Sequence, residues 1–112
     1  MKGIVKMQKD VIFSEIGDTL VARIQCDVDH HTARFMRERI DAMLLKKKPS
    51  ELVLDFTRVD FMDSSGLGLI LGRVERATSV GATVRISGLS PTLMKIVKLS
   101  GIERIQGITV AK

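Results

Sequence analysis

Aromatic residues are scarce in this chain, which has no Trp, no Tyr and only four Phe among its 112 residues. Platforms for single-stranded nucleic acid stack bases on aromatic rings, so this scarcity argues against that class of protein. There is one cysteine, Cys26, and it cannot form a disulfide within the chain. A lone thiol suits a reducing compartment, so we expect a cytoplasmic protein in which Cys26 is a small buried hydrophobe.

Long apolar runs are also missing. The longest reaches only Leu67–Gly72 even when glycines are counted, whereas a helix that crosses a bilayer needs about 20 apolar residues. The first residues include Lys2 and Lys6 and show no apolar stretch of a signal peptide. We therefore expect no membrane association.

The chain has many charged residues, and the basic ones outnumber the acidic ones, which gives a formal net charge of +5. The basic residues are mostly scattered, and their one run, Lys46–Lys48, stands just before Pro49, where a helix should end. Cations at that position complement the helix dipole, which favours a structural role over an acidic partner or a phosphate surface. The sequence does not predict direct nucleic-acid binding.

Strand-like and helix-like patterns alternate along the chain. Two β-prone runs, 11–13 and 20–24, flank Gly17-Asp18 and predict a hairpin. Further short strands are expected at 52–56 and 84–86, while Ile108–Val110 is β-like but too short to assign. Helical spacing of apolar residues, with Ser90-Pro91 as a helix start, predicts three helices: 32–45, 64–80 and 91–100.

The spacing of the strands indicates how they are connected. Leu20, Leu52 and Val84 lie 32 residues apart, and each gap holds one predicted helix. This is the length of a βαβ unit, whose right-handed crossovers make the strands parallel. We expect a single α/β domain over 1–112, with a mixed, mostly parallel sheet of four or five strands and three to four helices. Its predicted core includes Leu52, Leu54, Phe56, Leu67, Ile70, Val84 and Ile86.

The segment 60–72 is the densest in candidate chemistry, and three enzyme-like interpretations fit it poorly. A dinucleotide fingerprint needs G-x-G-x-x-G. Here, after Gly66, the gap between Gly68 and Gly72 holds three residues where the fingerprint has two. A phosphate-binding Walker loop needs a lysine, which is missing here, and a nucleophile elbow needs a glycine two residues before the serine. A purely structural interpretation, with Asp63 or Ser64 capping a helix, does not explain three helix-weakening glycines.

The helical pattern of this segment predicts which side faces solvent. Leu67, Ile70, Leu71 and Val74 cluster on one side, which should be buried. Leu69 falls on the opposite side between two glycines, so we expect an exposed apolar contact for a partner protein. On this hypothesis, Leu69→Ala would weaken partner binding with little change in stability.

Three blocks of the chain resemble the bacterial anti-sigma factor antagonists, which are STAS-domain proteins. Asp63–Gly68 resembles their phosphorylation loop, and Asp29–Ala33 resembles the start of the first helix in a sporulation member. Leu89–Pro91 together with Leu99–Ile102 resembles the last helix of the family. The resemblance covers about residues 5–105.

The resemblance implies a partner-switching protein that is not itself an enzyme and needs no cofactor or metal. The dephosphorylated form would bind an anti-sigma factor with serine kinase activity and so free a sigma factor. Phosphorylation of Ser64 would end binding, and a serine phosphatase would restore it. The free protein is expected to be a monomer. Alternatives are a STAS-like interaction module in a stressosome or a transport accessory, or a small-ligand or nucleotide-binding domain.

The expected partner-binding surface combines the phosphorylation loop with the start of the first helix. Asp27 and Asp29 would offer anionic contacts to a basic partner. Adjacent His30 and His31 point about 100° apart on a helix, which argues against a shared metal. The residues predicted for this surface flank Ser64 or open the first helix: Asp27, Asp29, His30, Asp63, Ser65, Gly66, Gly68, Leu69 and Gly72.

Overall fold

The sheet of this protein has five strands in the order of the chain, β1-β2-β3-β4-β5. The structure, a computed structural model, describes residues 10–111. β1 pairs antiparallel with β2, and the remaining neighbours pair parallel. The strands are β1 (Val11–Ile16), β2 (Thr19–Ile24), β3 (Glu51–Asp55), β4 (Thr83–Ser87) and β5 (Ile108–Val110). The helices are α1 (His30–Lys47), α2 (Ser64–Ser79) and α3 (Pro91–Ser100), followed by a 3-10 turn, Ile102–Arg104.

The register of the parallel strands follows the regular spacing in the sequence. Leu20 is the partner of Leu52, and Leu52 is the partner of Val84. Ile108 then continues this row on β5. The α/β class, the predicted hairpin and the βαβ crossovers are confirmed, and the β-like Ile108–Val110 forms the fifth strand.

The two faces of the sheet differ in chemistry because successive side chains of a strand point to opposite sides. The row through Leu20, Leu52 and Val84 is buried, in one core with α1 and α2. The other face carries cross-strand ion pairs, Arg23 with Asp55 and Arg85 with Glu51. Of the predicted core residues, all are buried except Leu67, which is half-buried.

Local signals set the helix ends. α1 begins at His30, two residues before the predicted start, because Asp29 caps it by accepting N–H hydrogen bonds from His31 and Thr32. It ends at Lys48, which adopts a left-handed conformation and donates its N–H to the Leu44 carbonyl. Lys46 and Lys47 occupy the last turn, as their run before a proline predicted.

No helix in the described range 10–111 is long and apolar enough to span a membrane. The predicted absence of a signal peptide concerns residues before Asp10, which lie outside the described residues. Cys26 is half-buried and packs against the core. It is thus less buried than predicted. Desolvation by this partial burial raises the pKa of its thiol, and the negative charges of Asp10, Asp27 and Asp29 raise it further.

Candidate functional site

The loops that precede α1 and α2 are joined by backbone hydrogen bonds. The Val28 N–H donates to the Phe61 carbonyl, and the Asp63 N–H donates to the Val28 carbonyl, each at 3.1 Å. Val28 and Met62 form the resulting parallel bridge, and both side chains are buried. The amino ends of the two helices therefore lie side by side, which brings together the two sequence blocks predicted to form one surface.

Asp27 ties these loops together with its side chain. Its Oδ1 atom accepts N–H hydrogen bonds from Asp60 at 3.0 Å and from Phe61 at 3.1 Å. A contact with a basic partner was predicted for this carboxylate, whereas its structural role was not, because the donors lie more than 30 residues away. Asp27 is exposed, so a contact with a partner stays a prediction.

Asp29 is also used within the protein. The Thr32 N–H hydrogen bond has the largest effect on the pKa of this carboxyl and lowers it; desolvation comes next and raises it, and the His31 N–H then helps to hold the pKa below its ordinary value. Thr32 completes a capping box by accepting the Asp29 N–H. His30, next in the chain, is exposed. Within residues 10–111, no three His, Cys, Asp or Glu side chains are grouped to hold a metal ion.

The cap of α2 is Asp63. Its Oδ1 accepts the Ser65 N–H at 2.7 Å, so the hydroxyl of Ser64 is not the capping group. Ser64 is the first residue of the helix and is exposed, whereas Ser65 is half-buried. The structure thus presents the predicted phosphorylation residue to solvent at a helix amino terminus, where backbone N–H groups and the helix dipole favour an anion.

Gly66 does not belong to an accessible surface. It is buried in α2, and a Cβ atom there would lie 2.7 Å from Met62 Sδ and 2.8 Å from Met62 Cβ. Its prediction as a partner contact is wrong, because the glycine is needed to let the helix approach Met62 closely. Gly68 is exposed and Gly72 half-buried, and a Cβ at either would meet nothing within 4 Å. These two remain compatible with a flat contact surface.

The prediction that Leu69 is exposed is also wrong. Leu69 is only 4% exposed, whereas Leu71, expected in the core, is 41% exposed. The predicted exposure of Leu69 assumes that α2 has one buried side, which packs on the sheet. In the structure α2 also packs on α1, so it has a second buried side. Leu69 lies on that second buried side, so it cannot serve as an exposed partner contact, and its truncation should affect folding.

Arg73 marks the same side of α2 one turn later. It is 3% exposed, and its Nε lies 2.8 Å from Oδ1 of Asp41 on α1. The two charges form an ion pair by distance, but their alignment is too poor for a hydrogen bond. Burial lowers the pKa of Arg73, and Asp41 opposes that effect. This pair was not predicted, because its two residues belong to different helices that no local pattern brings together.

A groove of about 470 Å³ runs between α1 and α2 beside the Ser64 loop. Arg34 and Arg37 line it from α1, while Ser65 and Gly68 line it from α2, with Leu69 between them. The site therefore combines an exposed serine, a glycine surface and a groove with two arginines. This arrangement can bind a protein segment.

Comparison with known proteins identifies relatives of this chain and of its fold. Residues 10–111 match the STAS domain. The chain is 32% identical over 89 residues to the anti-sigma F factor antagonist of Paenibacillus polymyxa, covering 80% of this chain and 76% of that protein.

Solved structures of the antagonist SpoIIAA are similar to this chain in both of its chemical forms. The unphosphorylated form has 26% identity and a TM-score of 0.69, covering 91% of this chain and 87% of that one. The phosphorylated form from Bacillus has 28% identity and a TM-score of 0.68, covering 91% of each chain.

Proposed function

This chain belongs to the STAS domain family, and we propose that it acts as an anti-sigma factor antagonist. In its unmodified form it binds an anti-sigma factor that is also a serine kinase, and so releases a sigma factor. The observation that carries the proposal is the exposed Ser64 at the start of α2, directly after its cap Asp63 and beside the amino end of α1. The curated relative named an antagonist supports the same role.

Phosphorylation of Ser64 by the partner switches binding off. A phosphoserine carries a charge of about −2, and backbone N–H groups at the amino end of α2 accommodate it without unfolding the helix. Asp63 and Asp29 lie at the two adjoining helix starts, so the phosphate adds to an anionic edge. A partner surface fitted to a hydroxyl must then bury an unpaired dianion, which costs several kcal/mol.

On this proposal the switch acts through the charge of the phosphate and needs no rearrangement of the backbone. The similar overall fits of this chain to the unphosphorylated and phosphorylated forms of SpoIIAA, with TM-scores of 0.69 and 0.68, are compatible with such a switch. The protein is on this account a substrate of the kinase and of a serine phosphatase, and a binder without enzymatic activity of its own. About 4 kcal/mol of repulsion corresponds to a roughly thousandfold weaker affinity.

The test is incubation with a candidate anti-sigma factor kinase and ATP, followed by intact mass and by affinity measurement. We expect one added phosphate in the unaltered protein and in Ser65→Ala, the matched control, but none in Ser64→Ala. Ser64→Ala should bind the kinase permanently, while Ser64→Asp should bind poorly and keep its amide NMR spectrum outside the loop. Phosphate on Ser64→Ala, or widespread spectral change in Ser64→Asp, would contradict the proposal.

A further inference from the structure

The groove between α1 and α2 carries two positive side chains that have no role in the proposed phosphorylation switch. Arg34 and Arg37 are both exposed, stand one helical turn apart on α1 and line the groove together. Neither guanidinium has an ion-pair partner among residues 10–111. Two unpaired cations at this spacing make one wall of the groove a site for anions.

The acidic side chains nearby do not neutralise these arginines. Asp29 caps α1, Asp63 caps α2, and Asp41 lies against the buried Arg73 with Arg76 3.9 Å away. The charge of Arg37 reaches this cluster too, because it contributes to the lowered pKa of Arg73. Glu38 lies four residues after Arg34 on α1, on the same helix face, but the two form no ion pair among residues 10–111 and Glu38 does not line the groove. The groove therefore has an excess of positive charge.

The wall that α2 contributes to the groove suits a polypeptide. It is flat at Gly68, where a Cβ would meet nothing within 4 Å, and only the edge of the buried Leu69 borders the groove. A segment that carries carboxylates one turn or two strand positions apart can pair with both arginines and lie along this flat wall. Arginine is well suited to carboxylates because its planar donors bind them in pairs.

We propose that this groove receives an acidic segment of the anti-sigma factor, with its carboxylates on Arg34 and Arg37. The inference rests on the proposed function and adds the chemistry by which the partner is recognised. It also explains how phosphorylation weakens binding at this groove, because Ser65 lines the groove and Ser64 is the residue before it. A phosphate on Ser64 adds negative charge beside this groove and repels an acidic segment.

The test compares two charge reversals of equal size. Arg34→Glu/Arg37→Glu alters the groove, while Lys95→Glu/Lys98→Glu alters two exposed lysines of α3 at the same spacing. Affinity for the anti-sigma factor kinase is measured by calorimetry at about 0.05 M and 0.5 M salt. We expect the groove variant to bind at least about tenfold more weakly at low salt and to lose most of the salt dependence. The α3 variant should stay within about threefold of the unaltered protein.

The outcomes separate this inference from the proposed function. If the groove variant binds as tightly as the unaltered protein, or no more weakly than the α3 variant, the acidic-segment inference is wrong while the antagonist function stands. If the unaltered protein neither binds the kinase nor gains phosphate on Ser64, both are wrong. Circular dichroism checks folding, and Arg34→Gln/Arg37→Gln replaces the reversal if that variant unfolds, with the same loss of salt dependence expected.

Discussion

Gly66 and Gly68 of α2 lie only two positions apart, but a Cβ atom would be crowded at the first and free of contacts at the second. A Cβ on Gly66 would overlap Met62 at 2.7–2.9 Å, and one of the overlapping atoms is the Met62 Cβ, which cannot move away without the backbone. Gly66→Ala should therefore lower the free energy of unfolding by about 1–3 kcal/mol. Urea denaturation followed by circular dichroism measures this loss.

Gly68→Ala is the matched control for that prediction. Its Cβ would meet nothing within 4 Å, and alanine in a helix interior is favoured over glycine by about 1 kcal/mol. We expect Gly68→Ala to raise the free energy of unfolding. Equal stabilisation by both substitutions would show that helix propensity, and not contact with Met62, decides the effect of Gly66→Ala.

At the scale of elements, the contact between α1 and α2 contains a buried charge. Asp41→Leu should destabilise the protein by about 3 kcal/mol, because it leaves the guanidinium of Arg73 buried without its carboxylate. Arg73→Met in the same chain removes the stranded charge, so the double variant should regain most of that loss. Thermal and urea unfolding of four proteins, the unaltered chain, each single variant and the double variant, form a double-mutant cycle. A double variant less stable than Asp41→Leu would contradict this account.

At the scale of the whole molecule, the carboxylates of Asp29 and Asp55 make the free energy of unfolding depend on pH in the acidic range. Hydrogen bonds from Thr32 lower the pKa of Asp29 below 3.8. At Asp55, desolvation is the largest influence and raises the pKa, but hydrogen bonds from Thr57 and the Arg23 guanidinium outweigh it and lower the pKa below 3.8. A carboxyl whose pKa is lowered by folding stabilises the protein above its unfolded pKa, and this contribution is lost as pH falls through the folded pKa.

We therefore expect the free energy of unfolding to fall as the pH drops below about 3.8, the ordinary carboxyl value. The variant Asp29→Asn/Asp55→Asn cannot ionise at these positions and should show a flatter dependence, although asparagine still caps a helix. Urea titrations from pH 6 to pH 2.5 measure both proteins. A variant with the same acid dependence as the unaltered protein would assign the effect to other groups.

Much of the architecture is determined by local sequence. The 32-residue spacing of Leu20, Leu52 and Val84 became one aligned row of the sheet, because strand alternation and helix length are both set by nearby residues. The caps follow the same logic, with Ser90 before Pro91 and Gly101, at φ +81°, at the end of α3. The start of α2 at Ser64 was predicted from local sequence as well.

The tertiary structure decided which faces and charges of those elements are used. Leu69, Arg73 and Gly66 are buried because α2 meets α1 and Met62 as well as the sheet, and a helical pattern shows periodicity without showing how many neighbours a helix has. Asp27 binds N–H groups more than 30 residues away, a pairing that no local signal encodes. The groove with Arg34 likewise exists only once the two helices lie together, since its walls come from separate segments of the chain.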